Sequence, residues 1–134
     1  MGAIVAAVSK KGESVVPHVV AMLKELRHRG ADAHGIATPN SVRMTKSLNN
    51  LITEKIDSDI ALGHNFSSLL PKDSPQPVLG HNFSLVFEGR LFPPPKISET
   101  DKILERLTPD PERQSPNIIK KLEGSYVFAV ALHK

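Results

Sequence analysis

The sequence contains no cysteine and no tryptophan. Without cysteine there is no disulfide framework, no thiolate metal site and no thiol nucleophile. Aromatic residues are also scarce, one tyrosine and five phenylalanines, too few for the stacking platform on which single-stranded nucleic acid is held. Charge of one sign is not in excess: 17 Lys and Arg face 14 Asp and Glu, for a net +3. These charges are scattered, with no basic run to track a phosphate backbone, so nucleic acid is not an expected partner. No apolar run approaches the roughly 20 residues of a membrane span, and residues 1–9 are too short for a signal-peptide core with its cleavage site. A soluble cytoplasmic protein is the expectation. Met1-Gly2 opens like a myristoylation signal, but position 6 is Ala6 where that signal wants Ser or Thr.

What is present suits one ordinary domain over residues 1–134. Hydrophobic residues make up 40% and charged residues 23%, and a chain of this length buries about two thirds of its unfolded surface. Ile4 to Ser9 reads as a buried strand ended by Lys10-Lys11-Gly12. Ser14 is placed to cap a helix carrying Val16, Val19, Val20, Leu23 and Leu26 on one face, closing near Arg29-Gly30. Gly35 to Thr38 and Val42 to Lys46 read as a hairpin, and Ile60 to His64 and Phe83 to Phe87 as further strands. A second helix is expected from Ser98 or Thr100 to Pro109. A third is expected from Ser115-Pro116 to Gly124, before a last strand at Tyr126 to Leu132. The six-residue segment Leu62-Gly63-His64-Asn65-Phe66-Ser67 recurs as Leu79-Gly80-His81-Asn82-Phe83-Ser84. It is too short and too rarely repeated for a solenoid, and reads as coincidence or a shared strand-end geometry. Six strands with helices inserted between strand groups indicate an α+β layered domain.

Spacing alone carries the chemistry little further. None of the six histidines pairs with another at three- or four-residue spacing, so no metal and no cofactor is expected. A Ser/His/Asp triad with distant partners stays open, although no G-x-S-x-G elbow, phosphate loop or dinucleotide fingerprint is present.

Seven segments in order carry a resemblance across the chain. Met1-Gly2-Ala3-Ile4-Val5-Ala6 is similar to a "Met-Cys-Gly-Ile-Val" opening, and Leu26-Arg27-His28-Arg29-Gly30-Ala31-Asp32-Ala33-His34-Gly35-Ile36-Ala37 to "L-x-H-R-G-x-D-x-x-G-I-A". Ala61-Leu62-Gly63-His64 matches an "I-G-H-x-R" strand, Gln76-Pro77 an "A-Q-P" loop, and Leu85-Val86-Phe87-Glu88-Gly89 a "V-x-N-G" segment. Ser98-Glu99-Thr100-Asp101 matches "S-x-T-[DE]", and Leu122-Glu123-Gly124-Ser125-Tyr126-Val127-Phe128-Ala129 matches "L-x-G-x-[YF]-x-[FA]-A". The chain thus resembles class II glutamine amidotransferase domains, the N-terminal nucleophile hydrolases found in asparagine synthetase and in glucosamine-fructose-6-phosphate aminotransferase.

The resemblance implies a four-layer αββα sandwich, incomplete at its C-terminal end, where the family continues with another hairpin. The edge along Tyr126 to Leu132 would then need a homodimer partner or a fused or associated synthetase-type domain. The resemblance also implies that the site is degenerate. In the family an N-terminal thiolate attacks the glutamine amide; here Gly2 stands at that position. Phe66 replaces the arginine that would hold the α-carboxylate, and Glu88 replaces the oxyanion asparagine. Gly89 keeps its backbone N–H, and Asp101 stands where the family contacts the α-amino group. Arg29, Gly30 and Asp32 belong to the structural motif. Taken alone, Arg29 and Asp32 suit an ion pair or a turn cap, Asp101 suits a helix cap, and His64 and His81 suit hydrogen-bonded strand ends.

Three functions follow as expectations. The first is a non-catalytic structural, regulatory or ligand-binding module related to amide-nitrogen transfer. The second is an active glutaminase serving a synthetase or aminotransferase, its nucleophile a Ser or Thr elsewhere or a lost cysteine. The third is a binding domain for a small molecule other than glutamine.

Overall fold

The computed structural model describes residues 2–53 and 55–133. Met1 and Lys134, the first residue of the opening motif and the last of the chain, lie outside the described residues. Seven strands and four helices follow in the order β1 (Ala3–Val8), α1 (Val16–Glu25), β2 (Ala33–Thr38), β3 (Ser41–Thr45), α2 (Leu48–Thr53), β4 (Ile60–Phe66), β5 (Val78–Leu79), β6 (Phe83–Phe92), α3 (Glu99–Leu107), α4 (Pro111–Lys121) and β7 (Glu123–Leu132). A 3-10 turn at Arg27–Arg29 extends α1. The fold is α+β, with two antiparallel sheets ordered β1-β4-β2-β3 and β5-β6-β7.

Two-residue periodicity decides what each strand offers to each side. On β1, Val5 faces α1 and joins a core with Val16, Val19, Leu23, Ile36 and Leu51. Its neighbour Ile4 faces the second sheet, where Leu62, Val86 and Ala131 meet Ile60 and Ala129. On β6, Phe83, Leu85, Phe87 and Leu91 pack with Ile103, Leu107 and Ile118 of α3 and α4. Gly63 is required by this packing, because a Cβ there would stand 2.6 Å from Val5 Cγ2 and 2.8 Å from Val19 Cγ1 of α1.

Helix ends differ from the sequence reading in α1 and α4: α1 itself ends at Glu25, with Leu26 at its C-cap, and Gly30 is extended. Ser14 does not cap α1: its Oγ accepts from the Ser58 amide at 3.3 Å, and Val15 occupies the cap position with no side-chain bond. The helix is started instead by Pro17 in its first turn and by burial of its valine face. The third expected helix starts earlier, at Pro111, because Asp110 accepts from the Arg113 amide at 3.1 Å. Pro116 therefore lies inside α4, and Gly124, instead of closing the helix, is the second residue of β7. The second expected helix begins as read: Ser98 Oγ accepts from the Asp101 amide at 3.0 Å and caps α3. The strand at Phe83 runs on to Phe92, and α2 and β5 are additions to the sequence reading. The two copies of the six-residue repeat adopt different structures. One completes β4, while the other turns between β5 and β6, with the Gly80 amide bonded to the Phe83 carbonyl at 2.9 Å.

Candidate functional site

The site forms where the N-terminal end of β1 meets the two sheets. Ile4 pairs with His64 and Ala3 with Asn65, so Gly2 lies beside the end of β4. His64 shares the face of Leu62 and points toward the second sheet, whereas Asn65 points to α1 and donates to the Leu23 carbonyl at 2.8 Å. On β6, Glu88 shares the face of Val86 and points back toward β1 and β4. His64 Nε2 lies 2.8 Å from Glu88 Oε1, and the Gly2 amide donates to Glu88 Oε2 at 3.0 Å. Arg29 holds the other side of the Gly2 peptide, its Nε donating to the Gly2 carbonyl at 3.3 Å.

Gly2 is enclosed. A Cβ built on it would lie 2.5 Å from Glu88 Oε1 and would collide with the Asn65 carbonyl oxygen. The carboxylate tip could move aside, but the carbonyl belongs to a strand backbone. His64 is fully buried, and its Nδ1 has no hydrogen-bond partner among the described residues.

A cavity of about 170 Å³ lies in front of Glu88, with Phe66 and Gly89 also in its wall. Gly89 has φ +132, and a Cβ there would run into the backbone of Ser125 and Tyr126, so this position demands glycine. Three carboxylates reach the cavity: Asp73, Glu88 and Glu99. Arg90 is the guanidinium there, and it is bound internally, to Asp73 through Nη1 and Nη2 at 3.1 Å each and to Glu99 through Nη1 at 2.9 Å. Lys72 Nζ approaches Glu99 Oε1 at 2.8 Å without hydrogen-bond alignment, and donates to the Pro95 carbonyl at 2.8 Å. Burial acts to raise the Asp73 carboxyl, but the Arg90 contacts and the Leu70 and Leu69 amides outweigh it and hold its pKa at about 2. The Arg90 guanidinium is shifted upward, the bond to Asp73 outweighing the opposing effect of burial.

The remaining candidates separate. Asp101 sits in the first turn of α3 with its amide on the Ser98 cap; Ser98, Glu99 and Thr100 reach the cavity wall, and Asp101 does not. Asp32 ties the turn before β2 to the loop after β4, accepting from the Ser68 amide at 2.9 Å. Gly30 is packed on the Asn65-Phe66 backbone, its would-be Cβ 3.0 Å from the Asn65 oxygen. His81 is exposed in the turn between β5 and β6, so of the two repeat histidines only His64 reaches the site. Gln76 clamps the cavity floor: its Oε1 accepts from the Phe87 amide at 2.6 Å and its Nε2 donates to the Phe87 carbonyl at 2.9 Å.

The sequence reading missed Asp73, Arg90, Glu99 and Lys72 as a group. Lys72 and Asp73 adjoin, but Arg90 lies on β6 and Glu99 at the start of α3, and no motif spacing joins the four; the prolines around Lys72 and Asp73 signalled only a loop. Ser84 Oγ lies 3.2 Å from His133 Nε2, but Ser84 is buried on β6 and takes no part in the cavity wall. Among the described residues no three His, Asp or Glu side chains converge to hold a metal ion, and no helix is long and apolar enough to cross a membrane. No protein-family model and no curated protein matches the chain.

Proposed function

We propose that this protein is a degenerate domain of the class II glutamine amidotransferase type, without glutaminase activity, whose cavity serves binding or a structural role. The layer order supports the reading. Helices α1 and α2 cover one sheet, α3 and α4 cover the other, and an apolar seam joins the sheets, as a four-layer αββα sandwich requires. The single observation that carries the functional part is Glu88. Its carboxylate stands against Gly2, where the nucleophile of such a domain would be, and is held there by the Gly2 amide and His64. A negative group at that point opposes an oxyanion, and Gly2 has no side chain with which to attack. Phe66 in the cavity wall offers a ring in place of a guanidinium, and Arg90 is bound to Asp73 and Glu99. A glutamine α-carboxylate therefore has no charge-assisted clamp of the usual kind.

The experiment is glutamate release from glutamine, run beside labelling by a glutamine-mimicking electrophile. The protein is expected to show neither, and release at ordinary enzymatic rates would overturn the reading in favour of another nucleophile. Gly2→Cys alone should not restore activity, since its Cβ meets Glu88 Oε1 and the Asn65 carbonyl. Positioning and oxyanion stabilisation are each worth about a hundredfold or more, so activity should require at least Gly2→Cys with Phe66→Arg and Glu88→Asn, together with a shift of the Asn65 carbonyl away from the new Cβ. Labelling of the triple variant alone would identify the lost groups correctly.

A further inference from the structure

Most charged groups around the cavity are matched by the protein itself. Asp73 accepts from Nη1 and Nη2 of Arg90 and from the Leu69 and Leu70 amides, which fills its carboxylate. Glu99 is committed to Arg90 and Lys72. Glu88 and Thr100 keep free capacity. Glu88 has used one acceptor site on each oxygen, for His64 and for the Gly2 amide, and it stands in the cavity wall with 24% of its side chain exposed. Thr100 is 4% exposed and also stands in that wall, and its hydroxyl meets no partner among the described residues. Buried hydroxyls are ordinarily satisfied, so one left open on a cavity wall is placed for something the cavity holds.

Charge then selects the ligand. Asp73, Glu88 and Glu99 face one guanidinium, Arg90, and the Lys72 ammonium paired to Glu99, so carboxylates stay in excess. His64 does not redress the balance: one hydrogen on Nε2 serves Glu88, and a second, on Nδ1, would find no acceptor among the described residues. We infer that the cavity binds a small primary amine that carries no carboxylate, its ammonium on Glu88 and a polar far end on Thr100. An ammonium brings three donors and forms charge-assisted bonds to the open carboxylate. An anion would meet surplus negative charge, and Arg90 is already neutralised. A cavity of about 150 Å³ holds a molecule the size of benzene. The 170 Å³ here therefore suits about six non-hydrogen atoms, with the Phe66 ring as an apolar wall for the stem. The inference rests on the reading of the cavity as a non-catalytic binding site.

The test is a titration of the intact chain, read from the amide shifts of Gly89 and Thr100 by two-dimensional NMR. Three probes of similar size are compared: aminobutanol, butanediol and hydroxybutyrate, each substituted at its two ends. The amine should bind with a dissociation constant of about 1 mM, ordinary for a ligand of six atoms. The diol should bind roughly tenfold more weakly or worse, and the anion should give no saturable shift. Glu88→Gln should weaken the amine about tenfold and Thr100→Val about fivefold. Thr100→Val should leave the thermal melt where it was, because the hydroxyl it removes supports nothing in the fold. No saturable shift with the amine, equal binding of the diol, binding of hydroxybutyrate, or parent affinity in Thr100→Val would each overturn the proposal. If Glu88→Gln fails to fold, the three probes and Thr100→Val still decide it. Glutamate release from glutamine is measured on the same sample. Release would defeat the non-catalytic reading, whereas no release together with no amine binding would defeat this proposal alone.

Discussion

Replacing Glu88 by alanine should cost this fold about 3 kcal/mol, and the estimate follows from two bonds. The carboxylate accepts from the Gly2 amide at 3.0 Å and meets His64 Nε2 at 2.8 Å. A hydrogen bond to a charged group contributes about 1.5–3 kcal/mol net. Glu88 keeps 24% of its side-chain surface, so the lower figure applies to each bond. His64 is fully buried and its Nδ1 has no partner among the described residues, so Glu88→Ala would leave both ring nitrogens unsatisfied. Against a total stability of about 5–15 kcal/mol this is a large loss. With a urea dependence of about 2 kcal/mol per molar, the unfolding midpoint should fall by roughly 1.5 M. Glu88→Gln preserves an acceptor for Gly2 but can answer His64 only by donating to it. The imidazole hydrogen must then move to Nδ1, and the expected loss is smaller, about 1–2 kcal/mol. A His64→Leu/Glu88→Ala double variant should be less destabilised than the sum of the two singles, because each single strands the other partner. An unchanged midpoint in Glu88→Ala, or strict additivity in the double variant, would refute the reasoning that this pair is closed and interdependent.

Two further outcomes bear on the cavity and on the core. Asp73 has its pKa lowered to about 2 in the folded state. Its stabilising effect is complete above the ordinary carboxylate range and disappears as pH falls from about 4 to 2, because the unfolded chain takes up the proton first. Denaturation midpoints measured across that window should decline less steeply in Asp73→Asn than in the parent protein, and parallel curves would show that the Asp73–Arg90 pairing does not survive in solution. Val5 is buried in the α1-facing core at 7% exposure. Val5→Asp should therefore abolish the cooperative melt, at a cost of several kcal/mol for an unpaired buried carboxylate, and a melt at the parent temperature would mean that β1 is not an inner element of the fold.

Much of the architecture was legible because it depends on local pattern. The valine and leucine spacing of α1 and the Ser98 cap of α3 act over four residues or fewer. They are written in the sequence whatever lies opposite, and both helices form where that pattern places them. Ser14 and Ser115 show the limit of such signals. Each is a competent cap by composition, yet Ser14 bonds to the Ser58 amide from a distant loop, and Ser115 lies inside a helix already capped by Asp110.

The site follows the same division. Alternation along β4 and β6 puts His64 on the face of Leu62 and Glu88 on the face of Val86, and that much is settled by parity within each strand. Nothing in either strand says that those two faces oppose each other, or that Gly2, 86 positions before Glu88, comes to rest against the same carboxylate. That meeting is made by the register of β1 on β4 and by the apolar seam between the sheets. The Asp73–Arg90–Glu99 cluster arises likewise, when the loop after β4 folds over β6 and the start of α3. The sequence alone determined the strand parity of His64 and Glu88 and, with no cysteine present, that no thiol acts among these residues. Only the tertiary structure decided that a carboxylate closes the space beside Gly2, because long-range pairing is the product of all the cores forming together and leaves no mark at any one position.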